Sequence, residues 1–141
     1  MIAGKFYRES DGRAMKESDQ FRRGIALFNS RKFFEAHEVW EDLWLAEPEP
    51  EKTFLQGLIQ LAAAFHHHSR GNSRGTQSLL AAGLGKLESF PDVHRGMELA
   101  KLRAQAELWE ETFRGGRKLK LLNPPRIRVA ATTSPKKQRG R

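Results

Sequence analysis

Residues 33–44, FFEAHEVWEDLW, combine acidic, imidazole and aromatic side chains in a pattern with helical spacing. Successive residues of a helix are 100° apart, and this places six apolar side chains in one broad arc: Phe33, Ala36, Val39, Trp40, Leu43 and Trp44. The following segment EPEPE contains two prolines, which cannot continue a helix. The stretch therefore predicts an amphipathic helix over residues 32–46 whose tryptophan-bearing face packs into a core.

Segments on either side of this stretch also show helical periodicity. One predicted helix begins near Asp19 and ends near Ser30, and the short link to residue 32 forces an antiparallel hairpin. A third helix, over about residues 50–69, contains the uncharged run FLQGLIQLAAAF, so we expect it to be central. Gly57 within this run lowers helix propensity, which suggests that another helix passes close by.

The second half of the sequence predicts two more helices. One begins at Asn72 or Ser73 and ends at Phe90, and the other covers about residues 92–113. The predicted fold is therefore all-α, a compact bundle of about five helices made of two antiparallel helical hairpins plus a closing helix.

The charge distribution predicts a helical body with a basic tail. The chain of 141 residues has a net charge of +8, and residues 114–141 contain ten Lys or Arg and no Asp or Glu. Removing those ten charges leaves −2 for the rest, so the charge does not imply a nucleic-acid-binding fold. We predict a flexible N-terminal arm over residues 1–17, a helical domain over 18–115 and a basic C-terminal tail over 116–141. Residues 119–129 are expected to lie along the body, and the tail to be disordered from about residue 130.

The composition favours a soluble cytoplasmic protein. Cysteine is absent, which excludes disulfides and thiolate zinc sites and fits a reducing compartment. No apolar run approaches the roughly 18 residues of a membrane span. The first twenty residues also lack the apolar core of a signal peptide.

Three segments together carry a family resemblance. LFNSRKFFEAHEVWEDLW, followed by FLQGLIQLAAAFHH and then by GN with a leucine-rich helix, closely resembles the domain of unknown function 309 (DUF309) family of small all-helical prokaryotic proteins. The resemblance covers about residues 19–115 and implies a helical fold. It brings no activity with it. The positions that it marks as important are Phe28, Asn29, Phe34, Glu35, His37, Glu38, Trp40, Glu41, Trp44, Gln56, Gln60 and His66.

The polar residues of the second and third helices predict a buried network. Gln56, Gln60 and His67 form one narrow stripe on the third helix. Glu38 or Glu41 facing this stripe would satisfy donors that are removed from water. If the same region were an open cleft instead, its ligand-binding candidates would be Glu35, Trp40, Trp44, Gln56, Gln60, His66 and His67.

An enzymatic alternative uses the same helix. His37, Glu38 and Glu41 are the candidates for acid–base catalysis, as in a small hydrolase with or without a metal. His37 and Glu41 supply only two ligands, whereas catalytic zinc normally has three from the protein. We therefore expect no metal or other cofactor. If a metal binds to His37 and Glu41, the nearest candidates for the third ligand are His67 and His66.

The leading hypothesis from the sequence is a non-enzymatic interaction or scaffold domain. Its partner is an unidentified protein or a second copy of the chain, and no membrane is involved. A third hypothesis is weak, salt-sensitive nucleic-acid binding through the end of the tail, where the candidate contacts are Lys136, Lys137, Arg139 and Arg141.

Overall fold

The computed structural model describes residues 10–115 and 122–130, and in these residues it contains five packed helices. They are α1 (Ser10–Asn29), α2 (Phe33–Ala46), α3 (Glu51–Ser69), α4 (Ser73–Leu87) and α5 (Leu99–Gly115), with two short strands, β1 (Val93–His94) and β2 (Met97–Glu98). The predicted all-α bundle is confirmed. No helix in these two ranges is both long and apolar enough to cross a membrane.

α1 and α2 form the predicted antiparallel hairpin. Trp40 of α2 is fully buried, and its indole Nε1 donates a hydrogen bond to the Phe21 carbonyl of α1 at 3.2 Å. α1 begins at Ser10 rather than near Asp19, so residues 10–17 of the predicted arm are helical. The prediction placed the start too late because this turn of helix carries no apolar period, although Ala, Met, Lys and Glu are good helix formers.

α3 is the central helix, as predicted, and it packs against both α2 and α4. Gly57 of α3 lies against Gly83 of α4: a Cβ added to Gly83 would lie 2.9 Å from the Gly57 carbonyl oxygen. This confirms the close approach expected at Gly57. α4 begins where predicted, with the Asn72 side chain accepting a hydrogen bond from the Gly75 amide at 3.0 Å.

Residues 93–98 correct the prediction for the last helix. They form an antiparallel β-hairpin, in which Val93 pairs with Glu98, and α5 begins at Leu99 rather than near Asp92. The two turn residues, Arg95 and Gly96, have φ angles of 51° and 80°. A two-residue hairpin turn of type I′ requires positive φ at both positions, so the Arg-Gly pair interrupts the helical pattern.

Residues 122–130 are held against the helices by side chains that bind their backbone. The Asn29 amide exchanges two hydrogen bonds with the backbone of Ile127, at 2.9 and 2.8 Å, and the Gln105 amide does the same with Arg126. Ile127 is 3% exposed, and Val129 forms a β-bridge with Met97. This part of the predicted tail therefore belongs to the folded body. The disorder predicted for the end of the tail falls on residues 131–141, which lie outside the described residues.

Candidate interaction surface

The contact between α2 and α3 reaches the protein surface as a seam whose two ends are fixed by aromatic contacts. At one end the Phe34 ring lies 5.2 Å from the His66 ring, and at the other Lys52 Nζ lies 4.1 Å from the centre of the Trp44 ring. His37 and Glu41 lie between Phe34 and Trp44 at helical spacing, and Gln56 and Gln60 lie between Lys52 and His66. The structure therefore brings the predicted polar groups of the two helices to the same side of the molecule.

The predicted buried network along this seam is wrong. Glu38 is exposed, and the side chain of Glu41 is 51% exposed. Gln60 Oε1 is buried and has no hydrogen-bond partner within the described part of the chain. Water solvates both carboxylates where they are, whereas burying them beside neutral amides would cost desolvation energy that no opposite charge offsets.

These carboxylates also accept no hydrogen bond from the indole nitrogens of Trp40 and Trp44. Trp40 donates to a backbone carbonyl of α1. Trp44 Nε1 is buried without a partner in the described residues, while its ring lies under Lys52. The Lys52 ammonium in turn donates a 2.7 Å hydrogen bond to the Trp44 carbonyl and so satisfies an acceptor at the C-terminal end of α2. Trp44 is therefore in contact with the Lys52 ammonium and not with a carboxylate.

The three catalytic candidates are only partly brought together. His37 Nε2 lies 3.8 Å from a Glu41 oxygen, and the His37 ring stacks on Phe34 at 5.8 Å. His37 Nδ1 is buried without a partner in the described ranges. Acid–base catalysis depends on carboxylates whose surroundings differ from bulk water, and the exposure of Glu38 and Glu41 does not supply this. The hydrolase hypothesis stays a prediction.

The three consecutive histidines of α3 make three different contacts. His66 lies against Phe34, His67 Nδ1 lies 3.0 Å from the Asn72 amide nitrogen, and the His68 ring meets Trp109 edge to face at 4.8 Å. Among the described residues there is no group of three or more His, Cys, Asp or Glu that could hold a metal ion. His37, Glu41 and His67, the trio named for a metal, are therefore not assembled.

The outward side of α2 carries both acids and apolar groups. Glu35, Glu38 and Glu41 are exposed, Phe34 is 46% exposed and Leu45 is 63% exposed. α2 contains no Lys or Arg. We call these five residues the acidic–apolar face. Phe34 and Leu45 are therefore large apolar side chains that lie in water beside carboxylates.

A cluster that the sequence did not reveal joins the hairpin to the adjoining ends of α2 and α3. His94 Nε2 lies 2.7 Å from a Glu51 oxygen, and the His94 ring lies 4.5 Å from the Phe54 ring. The Arg95 guanidinium lies 3.4 Å from Glu51 and 3.6 Å from Glu47. Near the hairpin, the sequence indicates only a turn at the Arg-Gly pair. Glu51 is the partner of both His94 and Arg95, and it is more than forty residues away in sequence, so no local pattern predicts the cluster.

A groove beside this cluster separates α1 from the hairpin. Its volume is about 210 Å³. It is lined by Glu17, Ser18, Phe21, Arg22, Ile25, Arg95, Gly96 and Val129. None of the predicted site residues lines it.

Comparison with known proteins finds a family match within the helical hairpins. Residues 21–79 match the model of the domain of unknown function DUF309, as the sequence motifs indicated. The matched part of the chain includes α2 and α3, and hence the whole seam and the acidic–apolar face.

Two relatives share part of this chain. An "Uncharacterized protein" of Aquifex aeolicus (strain VF5) is 30% identical over 93 residues, which are 65% of this chain and 28% of the relative. The "Uncharacterized protein YpuF" of Bacillus subtilis (strain 168) is 37% identical over 75 residues, which are 52% of this chain and 41% of the relative. The chain therefore spans less than half the length of either relative.

Proposed function

We propose that this protein is an interaction module whose acidic–apolar face binds a basic segment of a partner protein. The observation that carries the proposal is the exposure of Phe34 and Leu45 on a helix with four carboxylates and no cation. The two apolar groups are eleven residues apart, which corresponds to about 16 Å along one side of a helix. A partner segment with two apolar anchors and Lys or Arg between them complements this spacing and charge.

Contacts within the chain support a preformed surface. Phe34 is packed between the rings of His37 and His66, at 5.8 and 5.2 Å, so its position does not have to be fixed on binding. A side chain that is already ordered loses less conformational entropy in a complex. The surrounding carboxylates attract a basic segment and disfavour an acidic one.

The proposal is tested with the full chain and two fluorescent helical peptides. One peptide has Leu at helical spacings of three and four residues and Lys at the positions between them, so that it forms an amphipathic helix, and the other replaces every Lys with Glu. We expect the Leu–Lys peptide to bind at least about tenfold more tightly in fluorescence anisotropy, and its affinity to fall with added salt. Equal affinity for both peptides would rule out recognition by charge.

Matched variants locate the binding site. Phe34→Ser with Leu45→Ser, and Glu38→Gln with Glu41→Gln, should each weaken Leu–Lys peptide binding by about tenfold, because each removes one kind of contact. The controls lie on α5, where Leu108 is 48% exposed and Glu107 and Glu111 are exposed. Leu108→Ser, and Glu107→Gln with Glu111→Gln, should leave the affinity unchanged. Equal losses of affinity in the α2 variants and the α5 controls would show that the peptide does not bind at the acidic–apolar face.

A further inference from the structure

Two stretches of the sequence contain cations and no acids. Residues 20–34 include Arg22, Arg23, Arg31 and Lys32 without any Asp or Glu. Residues 112–141 contain ten Lys or Arg, also without any Asp or Glu. In sequence the two stretches are separated by the acidic helix α2 and by most of the remaining body. The net charge of −2 for the chain before residue 114 therefore conceals a local basic segment.

The fold brings these two stretches together. The Asn29 amide holds the backbone of Ile127, and Arg126 Nη1 donates to the Asn29 carbonyl at 3.3 Å. Farther along α1, Arg22 and Val129 line the same groove. Residues 126–129 therefore run along α1 from its C-terminal end back toward Arg22.

The extended backbone of this segment decides which side chains face water. Successive side chains of an extended chain point to opposite sides. Ile127 is 3% exposed and points inward, whereas Arg126 and Arg128 on either side of it are exposed. Together with three other exposed cations they form what we call the basic face: Arg22, Arg31, Lys32, Arg126 and Arg128. The acids nearest in sequence are Asp19, three residues before Arg22, and Glu35, three residues after Lys32, and Glu17 lines the groove.

We infer that the basic face binds the phosphodiester backbone of a nucleic acid, independently of the partner proposed for α2. Arg22 lies seven residues before Asn29, the last residue of α1, so this part of the face extends for about 10 Å along the helix, a length over which a duplex presents several phosphates. Four of the five cations of the basic face are arginines, whose planar guanidinium groups bind phosphate oxygens in pairs. The aromatic residues of α1, Phe21 and Phe28, are 4% and 1% exposed, so the face offers contacts to phosphates rather than stacking on bases.

The inference is tested by fluorescence anisotropy with the full chain and three labelled probes: duplex DNA, duplex RNA and single-stranded RNA of mixed sequence. We expect binding that depends little on sequence and weakens with salt, with a slope of log K against log salt of about −0.9 per contacted phosphate on duplex DNA. The three probes show which nucleic acid is preferred. Absence of binding to all three at low salt, or tighter binding to anionic lipid vesicles than to any of them, would overturn the inference.

Charge-matched variants separate the basic face from the tail. Arg22→Gln with Arg128→Gln should lower the affinity by about tenfold and make the salt slope shallower by about 2, because two phosphate contacts are lost. The control, Arg74→Gln with Lys86→Gln on α4, removes the same charge and should change the affinity by less than about threefold. Equal losses in the two variants would show that only total charge matters, which would contradict a defined face.

A third variant tests the tail in the same full-length chain. Replacing Lys136, Lys137, Arg139 and Arg141 with Gln should weaken binding but leave a measurable salt-dependent affinity. The inference fails if this variant abolishes binding while Arg22→Gln with Arg128→Gln leaves it unchanged, since the tail would then act alone. Thermal unfolding followed by circular dichroism establishes that each variant is folded.

Discussion

Single glycines set how closely the helices of this protein approach one another. A Cβ added to Gly24 of α1 would lie 2.1 Å from Nε1 of the buried Trp40. At Gly57, an added Cβ would lie 2.7 Å from Leu87 and 3.3 Å from the Gly83 carbonyl oxygen. Each glycine costs helix propensity. That cost is offset because the indole and the neighbouring helix occupy the space of the missing side chain.

The Gly24 contact predicts a large effect for a small substitution. Gly24→Ala should destabilise the protein by about 2–4 kcal/mol, because the added methyl overpacks the site and displaces the indole from its hydrogen bond to Phe21. The measurement is urea unfolding followed by tryptophan fluorescence.

Gly85 provides a matched control on α4. A Cβ added there meets nothing within 4 Å. Gly85→Ala should therefore stabilise the protein by up to about 1 kcal/mol through helix propensity. If the two variants were equally stable, the close approach of α1 and α2 at Gly24 would be wrong.

At the level of elements, residues 122–130 take the place that a third strand would have beside β2. They are bound on one side by β2, where the Glu98 amide donates to the Arg128 carbonyl at 2.8 Å. On the other side they are bound by side-chain amides rather than by a further strand, and Trp109 Nε1 donates to the Asn123 carbonyl at 3.0 Å. These contacts satisfy backbone groups that would otherwise be left without partners when the segment is packed against the helices.

The two hydrogen bonds between the Asn29 amide and the Ile127 backbone, which we call the Asn29 clamp, can be removed by one substitution at the end of α1. Asn29→Ala should lower the free energy of unfolding by about 2 kcal/mol, since two hydrogen bonds to the Ile127 backbone are lost at about 1 kcal/mol each. Hydrogen exchange should also become faster at the Ile127 amide, which donates to Asn29 Oδ1 at 2.8 Å. Asn123→Ala is the control, because Asn123 accepts the Trp109 bond through its backbone and its own side chain is exposed. Unchanged exchange at Ile127 in Asn29→Ala would contradict the clamp.

For the whole molecule, Arg95 connects parts that are distant in sequence. It pairs with Glu47 just after α2 and with Glu51 at the start of α3, and its guanidinium lies 4.6 Å from the centre of the Phe21 ring of α1. The hairpin turn thus contacts the C-terminal end of α2, the N-terminal end of α3 and the middle of α1. Charges that are three-quarters buried and paired contribute more to stability than pairs in full contact with water.

A double-mutant cycle measures this connection. Arg95→Gln and Glu51→Gln, alone and together, should give a coupling energy of about 1 kcal/mol, because both side chains are mostly shielded from solvent. The comparison pair is Arg114 and Glu110 of α5, in which the arginine side chain is 65% exposed, and its coupling should be about 0.4 kcal/mol or less. Thermal unfolding supplies both values. Equal coupling in the two pairs would show that the hairpin turn does not tie the helices together.

The sequence by itself determined the helical class, the α1–α2 hairpin, the central place of α3 and the resemblance of residues 21–79 to DUF309. These features depend on local periodicity and on residues that stop or start a helix, such as Pro48, Gly71 and Asn72, and such signals act over a few positions of the chain. The late start predicted for α1 and the early start predicted for α5 were errors of the same local kind.

Only the tertiary structure decided which way the polar groups of this protein face. The periodicity of α2 placed Glu41 at the edge of the apolar arc, and at an edge a carboxylate can turn toward either the protein or the solvent. The structure leaves Glu38 and Glu41 in water and pairs Glu51 with His94 and Arg95 instead. It also joins Asn29 to Ile127 across 98 positions. Desolvation energy and pairing across such separations depend on which surfaces meet, and no local pattern in the sequence contains that information.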